Sequence, residues 1–389
     1  MKRELGRRRF LAALGWGAAG LGACFLGGAG MLRSNRRLQR SLEELRSRRA
    51  VLPPVPGRLD LKGVLHVHSR LSPDSRGRPE EIVAAAQEAG LRFVMTTDHN
   101  TRRVFQEGLQ GRFGDLSIFR GVEMIKDGQS LLAVDAREFI DGHRMSIEQA
   151  VREIKSQGAL AFVAHPWRFR AWQADGIDGM EIYDIADAAY AQAWKAPWMG
   201  LEMLSSWDEC PEEVLLGLLA RPGRHLAAWD AQLRRRKLVG IAGNDAHQNV
   251  RFLGMQLDPY PLDFRFVQTH LLAVSGEDAA LLDALRSGHA YACFALLGDG
   301  TGFRFLAEEE GIAGIMGDEV AYRPGLRLAL QAPLPGRIDL YRDGALLRAS
   351  DAAAMSYPVE RPGVYRAEVS LEIDGRRYPW IVSNPIYIV

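Results

Sequence analysis

The sequence predicts an α/β fold, a β/α barrel built around a parallel sheet, followed by a small all-β domain. Two observations indicate the barrel: short runs rich in Val, Ile, Phe and Met alternate with helical stretches, and ligand-type polar residues follow most of these runs. A third observation, two Asp-Gly pairs flanked by alternating apolar segments near the C-terminus, indicates antiparallel hairpins. The predicted divisions are 1–32, 33–57, 58–301 and 302–389.

Composition narrows the possible functions. The chain of 389 residues is 47% hydrophobic and 25% charged, which is typical of a globular protein with two or more domains. Residues 1–50 carry 12 Lys or Arg against 3 Asp or Glu, whereas the remainder carries 37 against 45. The mildly acidic body does not predict a nucleic-acid-binding surface, and no protein partner can be inferred.

Residues 1–32 are predicted to be an export signal or a membrane anchor. The stretch 10–32 has no charged residue and is long enough to span a bilayer, although a buried core helix is the alternative. Arg7-Arg8-Arg9-Phe10-Leu11 resembles a twin-arginine export signal, which favours an extracytoplasmic body attached to or exported across a bacterial membrane. Cys24 either ends a lipoprotein-like cleavage box or simply lies in an apolar helix. Residues 33–57 are predicted to form a polar, helical stalk that ends in a Pro-rich linker.

The barrel strands are predicted to end in metal ligands. His66 and His68 close the run "KGVLHVHS", and alternation along a strand would direct both imidazoles to one side. Because the carboxyl ends of barrel strands meet at one face, ligands on several strands would converge. Five further runs end in such residues: Asp98 and His99, Glu123, His165, Glu181 and Asp184, and Asp245 and His247.

The other histidines, the cysteines and most of the tryptophans are not assigned to the metal site. His143, His225, His270 and His289 do not follow such runs and are interpreted as hydrogen-bonded core or surface histidines. Besides Cys24 there are only Cys210 and Cys293, too scattered for a cysteine-based zinc site. Six of the eight tryptophans lie between 167 and 229, where they either fill a core or form the wall of a pocket.

The motifs resemble those of the PHP family (polymerase and histidinol phosphatase), a group of metal-dependent phosphoesterases on a distorted seven-stranded β/α barrel. The resemblance covers roughly residues 60–300, and in some exported members a β extension like 302–389 follows. The motifs are His-x-His at 66–68, Thr-Asp-His at 97–99, Gly-Val-Glu at 121–123, Ala-His-Pro at 164–166 and Asp-Ala-His at 245–247. For the β extension, covering or spacing the barrel is the simpler role and carbohydrate or surface binding the alternative.

The resemblance implies two or three divalent ions, with zinc, manganese and iron all compatible with the donors. His66, His68, Glu123 and Asp245 would hold one ion, and Asp74, His99 and His247 a second. Glu123 would also bridge to a third ion that uses His165. Many family members have a further histidine where this chain has Gln129 or Ser130, so a two-metal centre is an alternative.

The implied reaction is attack of a metal-bound hydroxide on a small-molecule phosphate ester. Asp245, Arg168 and Asp98 are the predicted catalytic residues; Arg168, or Arg251, would hold a phosphate oxygen unless it is only a surface charge. Partners that orient the imidazoles are expected among Asp98, Asn100, Asn244, Glu181 and Asp184. Hydrolysis of carbamates, amides or carboxylic esters on the same centre is the alternative activity, and a non-catalytic binding protein of the cell envelope is the third.

Overall fold

The computed structural model describes residues 27–142 and 144–389. The strands before residue 300 are β1 (Leu59–Val67), β2 (Phe93–His99), β3 (Gly111–Phe113), β4 (Leu116–Lys126), β5 (Gln129–Val134), β6 (Leu160–Ala164), β7 (Gly179–Asp184), β8 (Val239–Ala246), β9 (Arg251–Phe252), β10 (Met255–Gln256), β11 (Gln268–Ala273) and β12 (Ala290–Cys293). The helices are α1 (27–47), α2 (Pro79–Glu88), α3 (Arg102–Glu107), α4 (Ile147–Ser156), α5 (Ile185–Ala191), α6 (Ala196–Ser206), α7 (Pro211–Leu216), α8 (Gly223–Leu233), α9 (Tyr260–Phe266) and α10 (Asp278–Ser287).

Seven of these strands close into a barrel in the order β1, β2, β4, β5, β6, β7, β8 and back to β1. Most neighbours are parallel, and the strands are buried on both faces, which explains their continuous apolar runs. The predicted seven-stranded β/α barrel is therefore confirmed.

One barrel strand runs opposite to the others. β5 is antiparallel to both β4 and β6 because a two-residue turn, Asp127-Gly128, joins it directly to β4. Both turn residues have positive φ, 51° and 72°, as a tight Asp-Gly hairpin requires. The N-terminal end of β5, with Gln129 and Ser130, consequently lies at the same end of the barrel as the C-terminal ends of its neighbours.

The C-terminal strands are β13 (Arg304–Glu308), β14 (Ile312–Ile315), β15 (Glu319–Val320), β16 (Arg327–Arg342), β17 (Ala345–Pro358), β18 (Gly363–Ile373), β19 (Arg376–Ser383) and β20 (Ile386–Ile388). Both predicted hairpins are present: Asp343-Gly344 joins β16 to β17 and Asp374-Gly375 joins β18 to β19, all four residues with positive φ. Hydrogen bonding is continuous from β19 through β12 and β11 to β1 of the barrel, so the predicted boundary at 301/302 cuts across one connected sheet system.

Helix α1 packs along the folded body instead of projecting from it as a stalk. Residues spaced by seven positions, Gly28, Asn35 and Leu42, are buried. Asn35 donates to Glu202 of α6 at 3.0 Å, and Arg46 pairs with Glu212 of α7 at 2.9 Å. The segment 33–47 is thus helical, as predicted, but its contacts make it part of the body.

Most of the predicted signal or anchor, including Arg7–Arg9 and Cys24, lies outside the described residues. Within 27–142 and 144–389, no helix has both the length and the apolar character needed to cross a bilayer.

Candidate metal centre

The barrel gathers the predicted ligands around one buried and one partly buried carboxylate. Glu123, on β4, places Oε2 at 3.7 Å from His66 Nε2, 3.6 Å from His68 Nε2 and 3.3 Å from His99 Nδ1. Asp245, on β8, places Oδ1 at 3.3 Å and 3.4 Å from the same Nε2 atoms of His66 and His68. These separations are longer than hydrogen bonds and leave a gap between the imidazoles and the carboxylates that is of the size a shared cation needs.

Backbone conformation aims three of these side chains. His66, His165 and Asp245 have φ of 61°, 47° and 47°, in the left-handed region that non-glycine residues rarely adopt. The pairing of β1 with β2 and with β8 shifts register between Leu65 and Val67, so His66 lies in a bulge. The two histidines of the His-x-His motif point to one side because of this bulge. The prediction attributed this to the regular alternation of side chains along a strand, and that reason is wrong.

The outer nitrogen of each of three imidazoles is held by the protein. His66 Nδ1 donates to Glu181 Oε1 at 2.6 Å, and His165 Nδ1 donates to Asp187 Oδ1 at 3.1 Å. His68 Nδ1 lies 3.1 Å from Ser72 Oγ, whose own proton is donated to Asp98 Oδ1 at 2.7 Å.

With its proton on Nδ1, the neutral form of each ring presents Nε2 to the interior as a free ligand atom. The Nε2 atoms of His66 and His68 are buried and have no hydrogen-bond partner. Unpartnered lone pairs that face two carboxylates fit a divalent cation, and they would be costly without one.

A second group of ligands adjoins the first. His99 Nε2 lies 3.0 Å from Asp74 Oδ2, and His247 Nε2 lies 3.6 Å from Asp74 Oδ1. The rings of His68 and His247 stack with centroids 4.0 Å apart. The structure thus brings Asp74, His99 and His247 together as the family pattern implies, with His68 and Glu123 between this group and the first.

The centre carries an excess of acids over bases. Glu123, Asp245, Glu181, Asp184, Asp187 and Asp74 surround five histidines. Burial opposes the charged form of His165, but Asp184, Asp187 and Glu181 outweigh it and raise the pKa of its imidazole to about 10. Burial also opposes the ionised form of Glu123, yet the hydrogen bond and charge of His66 hold the pKa of Glu123 well below its ordinary value. The site is electrostatically suited to bind cations.

The third ion position differs from the family pattern. His165 Nε2 lies 3.9 Å from both Glu123 Oε1 and Asp245 Oδ2, so it faces the same gap. At the place of the additional family histidine, Ser130 donates its hydroxyl to Glu123 Oε1. Gln129 is turned away and accepts from the backbone N–H groups of Arg170 and Ala171. A third ion would have one imidazole fewer than in those family members.

The sequence interpretation missed Asp187 and His225, as it also missed Ser72 beside His68. Asp187 receives hydrogen bonds from His165, Trp167 and His225, at 3.1, 2.8 and 3.1 Å. His225, interpreted as structural, therefore belongs to the network that orients His165. Asp187 lies three residues after Asp184 at the start of α5, and an acid in the first turn of a helix gives no sequence signal that separates it from an ordinary helix-terminal carboxylate.

The two arginines predicted to hold a phosphate oxygen lie in different places. Arg168 lines the cavity of about 220 Å³ next to the ligands, and its guanidinium lies over the Trp167 ring at 4.3 Å. Arg251 is exposed on β9 and is not among the residues that line this cavity. Glu181 and Asp184 lie against His66, with Asp184 Oδ2 at 3.7 Å from His66 Nδ1.

Three predicted polar residues lie behind the ligands. Asp98 accepts from Ser69 and Ser72, so it positions His68 through Ser72 and does not line the 220 Å³ cavity, which is contrary to the catalytic role predicted for it. Asn100 donates to the Ile140 carbonyl, and Asn244 donates to the carbonyls of Asp263 and Val267. The two asparagines therefore secure backbone segments and do not orient imidazoles.

The tryptophans between residues 167 and 229 differ in how far they are buried. Trp207 and Trp229 are buried in the core, whereas Trp167, Trp194 and Trp198 are 48%, 77% and 65% exposed. The expected core role thus holds for only part of the group.

The fold and the site define a β/α barrel protein with a cluster of His, Asp and Glu side chains, of the kind that can hold metal ions, at the C-terminal face of its strands. Residues 65–203 match the family model of the PHP domain. This match confirms the family resemblance that the motifs between residues 66 and 166 indicate. Asp245 and His247 lie beyond the matched residues but converge on the same cluster.

Three known proteins are similar to this chain. An uncharacterised protein of Methanocaldococcus jannaschii is 29% identical over an alignment of 143 residues, and the match covers 32% of this chain and 82% of that protein. One similar crystal structure, from Bacteroides vulgatus, is of a two-domain protein containing a predicted PHP-like metal-dependent phosphoesterase. It aligns with a TM-score of 0.46 and 15% identity, and the alignment covers 86% of this chain and 98% of the other. A candidate metal-dependent phosphoesterase from Bifidobacterium adolescentis aligns with a TM-score of 0.28 and 16% identity over 50% of this chain and 92% of the other.

Proposed function

We propose that the protein is a metal-dependent hydrolase of phosphate esters. The observation that carries this proposal is the pair of buried, unpartnered Nε2 atoms of His66 and His68 facing Glu123 and Asp245. His66, His68, Glu123 and Asp245 would hold one ion, and Asp74, His99 and His247 a second, with His165 available to a third. Zinc, manganese and iron all suit this mixture of imidazole and carboxylate donors.

Ions bound at these positions would lower the pKa of a bound water and neutralise charge on the phosphate. The chain supplies the remaining functions. Glu181, Ser72 and Asp187 fix the imidazoles so that the ligand atoms do not reorganise during the reaction. Arg168, on the wall of the cavity, is the cationic side chain placed to bind a phosphate oxygen.

We also propose that residues 1–32 export the chain or attach it to a membrane, with the body outside the cytoplasm. The support is the Arg7–Arg9 cluster followed by the uncharged stretch 10–32. Fractionation of cells expressing the full chain, beside a variant with Arg7→Lys and Arg8→Lys, tests this proposal. Unchanged localisation of the variant would exclude twin-arginine export.

The test of the reaction uses the full chain, freed of metal with a chelator and supplied with Mn²⁺ or Zn²⁺. Matched chromogenic phosphomonoester, phosphodiester and carboxylic ester substrates are compared. We expect metal-dependent release from a phosphate ester, and we expect Asp245→Ala to abolish it because the first ligand group loses one of its two carboxylates.

The control is Asp283→Ala, since Asp283 is a 72% exposed carboxylate on α10. It should retain activity. Carboxylic ester turnover without phosphate ester turnover would contradict the proposal and favour the alternative hydrolase. Bound metal with no turnover of any of these esters would favour a binding protein.

A further inference from the structure

A large apolar cavity opens beside the metal-binding cluster. It has a volume of about 570 Å³ and is separate from the smaller cavity that contains Arg168. Asp74, Asp245 and His247 line both cavities, so a phosphate held at the cluster would direct its organic group into the larger one. The volume is within the range of pockets that enclose a small organic ligand.

Much of the lining of this cavity is aliphatic. Side chains from α5, α6 and α7 and from the segments after them face strand β9 across the space. The lining includes Ile185, Met199, Met203, Leu215, Leu218 and Phe252. Phe252 and the imidazole of His247 are the aromatic rings among the lining residues, and the His247 ring already stacks on His68, so a nucleobase or another flat ring would find little surface on which to stack.

Most polar groups in the lining already have protein partners. The Gln192 side chain donates to the Leu218 carbonyl and accepts from Lys195, and Asp258 accepts from the backbone of Asn249 and Val250 at 2.8 and 2.9 Å. Exceptions are the Asn244 Oδ1 atom, which has no hydrogen-bond partner, and the Asp263 carboxyl. A sugar or nucleoside would therefore leave most of its hydroxyl and amide groups unpaired, at a cost that a hydrocarbon avoids.

The elements that form this cavity also expose apolar side chains to solvent. Tyr190, Trp194, Trp198 and Leu253 are 70%, 77%, 65% and 77% exposed, and each is adjacent in sequence to a residue of the lining. Exposed apolar residues next in sequence to the lining of an apolar cavity fit a site that takes up an amphiphilic ligand.

On these grounds we propose that the substrate is an amphiphile: a phosphate ester whose alcohol is a long hydrocarbon chain lying in the 570 Å³ cavity. This inference rests on the proposed phosphoesterase function and specifies its substrate class.

The test measures kcat/KM for ethyl, butyl, hexyl and octyl phosphate, below their micelle-forming concentrations, with the full chain loaded with Mn²⁺. If the activity assay identifies diesters, the p-nitrophenyl diesters of the same alcohols replace the monoesters. Each methylene that enters the cavity should raise kcat/KM up to about fourfold. The octyl ester should therefore exceed the ethyl ester by at least about tenfold, and it should also exceed a nucleoside monophosphate and 1-naphthyl phosphate.

The variant Gly200→Leu places a side chain in the cavity, where a Cβ on residue 200 would lie 3.5 Å from Phe252 Cζ. It should reduce the octyl-to-ethyl ratio of kcat/KM at least fivefold. A general folding defect would lower both rates and leave their ratio intact. The matched control is Gly223→Leu at the start of α8, where Arg221 Nη1 at 3.6 Å is the neighbour and the ratio should not change.

The outcomes separate the two proposals. No hydrolysis of any phosphate ester, short or long, would overturn the proposed function itself. Hydrolysis of short esters with no gain from chain length, or with the nucleotide or naphthyl ester preferred, would overturn the substrate assignment and leave the phosphoesterase intact. An octyl-to-ethyl ratio that Gly200→Leu does not change would overturn the assignment of the chain to this cavity.

Discussion

At the scale of single residues, Glu181 connects two ligands of the proposed centre. One of its oxygens receives the Nδ1 proton of His66 at 2.6 Å, and the other receives the backbone N–H of His165 at 3.0 Å. The carboxylate thus fixes the tautomer of one imidazole and the backbone of the residue that carries another. Both ligands have positive φ, a strained conformation that persists only where such neighbouring contacts hold it.

The variant Glu181→Gln should weaken metal binding by about 10- to 100-fold, because the neutral amide accepts the His66 proton less strongly and no longer increases the basicity of the ring. Equilibrium titration of the metal-free full chain with Zn²⁺ or Mn²⁺ measures the effect. Glu277→Gln, at a side chain that is 76% exposed, is the control and should bind as tightly as the parent chain. Equal affinities for Glu181→Gln and the parent would show that Glu181 does not position the ligands.

The sequence could identify ligands but not all of their supporting partners. The predicted ligands lie in the C-terminal parts of barrel strands or directly after them, and the barrel brings them together as that position predicts: His66, His68, His99, Glu123, His165, Asp245 and His247. Ser72, Asp187 and His225 are supporting partners that lie in a loop or in helices, where serine, aspartate and histidine have many ordinary roles. Their importance appears only when distances between distant segments are known, such as the 3.1 Å between His225 and Asp187.

At the scale of elements, β8 requires a glycine to close the barrel against the buried acids of β7. A Cβ on Gly243 would lie 2.1 Å from Glu181 Oε1 and 3.0 Å from Asp184 Oδ2. Neither carboxylate can move easily, because Glu181 holds His66 and His165 and Asp184 caps α5 by accepting from Asp187 N at 2.8 Å. The small residue two positions before Asp245 therefore protects the geometry of the site.

We expect Gly243→Ala to lower the free energy of unfolding by about 1–3 kcal/mol through overpacking and to reduce metal affinity by displacing Glu181. Chemical denaturation and metal titration of the same preparation measure the two effects. Gly311→Ala serves as the matched control, since a Cβ there meets no atom within 4 Å. Retained metal affinity in a destabilised Gly243→Ala protein would mean that Glu181 can move without loss of the site.

The sequence predicts the barrel and its reversed strand better than it predicts the bulge and the left-handed backbone positions. The alternation of apolar runs and helices predicts the barrel, and the Asp127-Gly128 pair in "KDGQ" carries the signal of the hairpin that reverses β5. The bulge at His66 and the left-handed backbone at Asp245 leave no such signal, because neither residue type nor spacing distinguishes them from a regular strand end. Tertiary contacts impose these conformations.

At the scale of the whole molecule, a buried ionic network joins the barrel to the C-terminal strands. Arg366 of β18 has only 2% of its side chain exposed and forms two hydrogen bonds of 2.7 Å with Asp230 of α8. Glu368 accepts from Arg366 at 2.7 Å and from Arg221 through two bonds of 2.6 Å. Two cations and two anions are thus paired in a place where a single unpaired charge would be costly.

This network makes the stability of the molecule depend on pH. Burial opposes ionisation of Glu368, but its hydrogen bonds to Arg221 and the charge of Arg366 outweigh burial and lower its pKa below the ordinary 4.5. A carboxyl whose pKa is lowered by folding stabilises the native state above its unfolded pKa, and that contribution is lost as the pH falls below 4.5 toward the folded value. Glu368 should therefore stabilise the protein fully at neutral pH and progressively less in acid.

We expect Glu368→Gln to lower the free energy of unfolding by about 2 kcal/mol at neutral pH, because the amide replaces charged hydrogen bonds with one neutral acceptor beside two arginines. The difference between parent and variant should shrink between about pH 5 and about pH 3, as Glu368 of the parent takes up its proton. Urea unfolding across this range, in chelator so that metal release does not contribute, measures the difference. Glu372→Gln on the same strand, with a side chain 61% exposed, should show a difference near zero throughout. A difference for Glu368→Gln that stays constant with pH would mean that the junction depends on packing of the side chain and not on its charge.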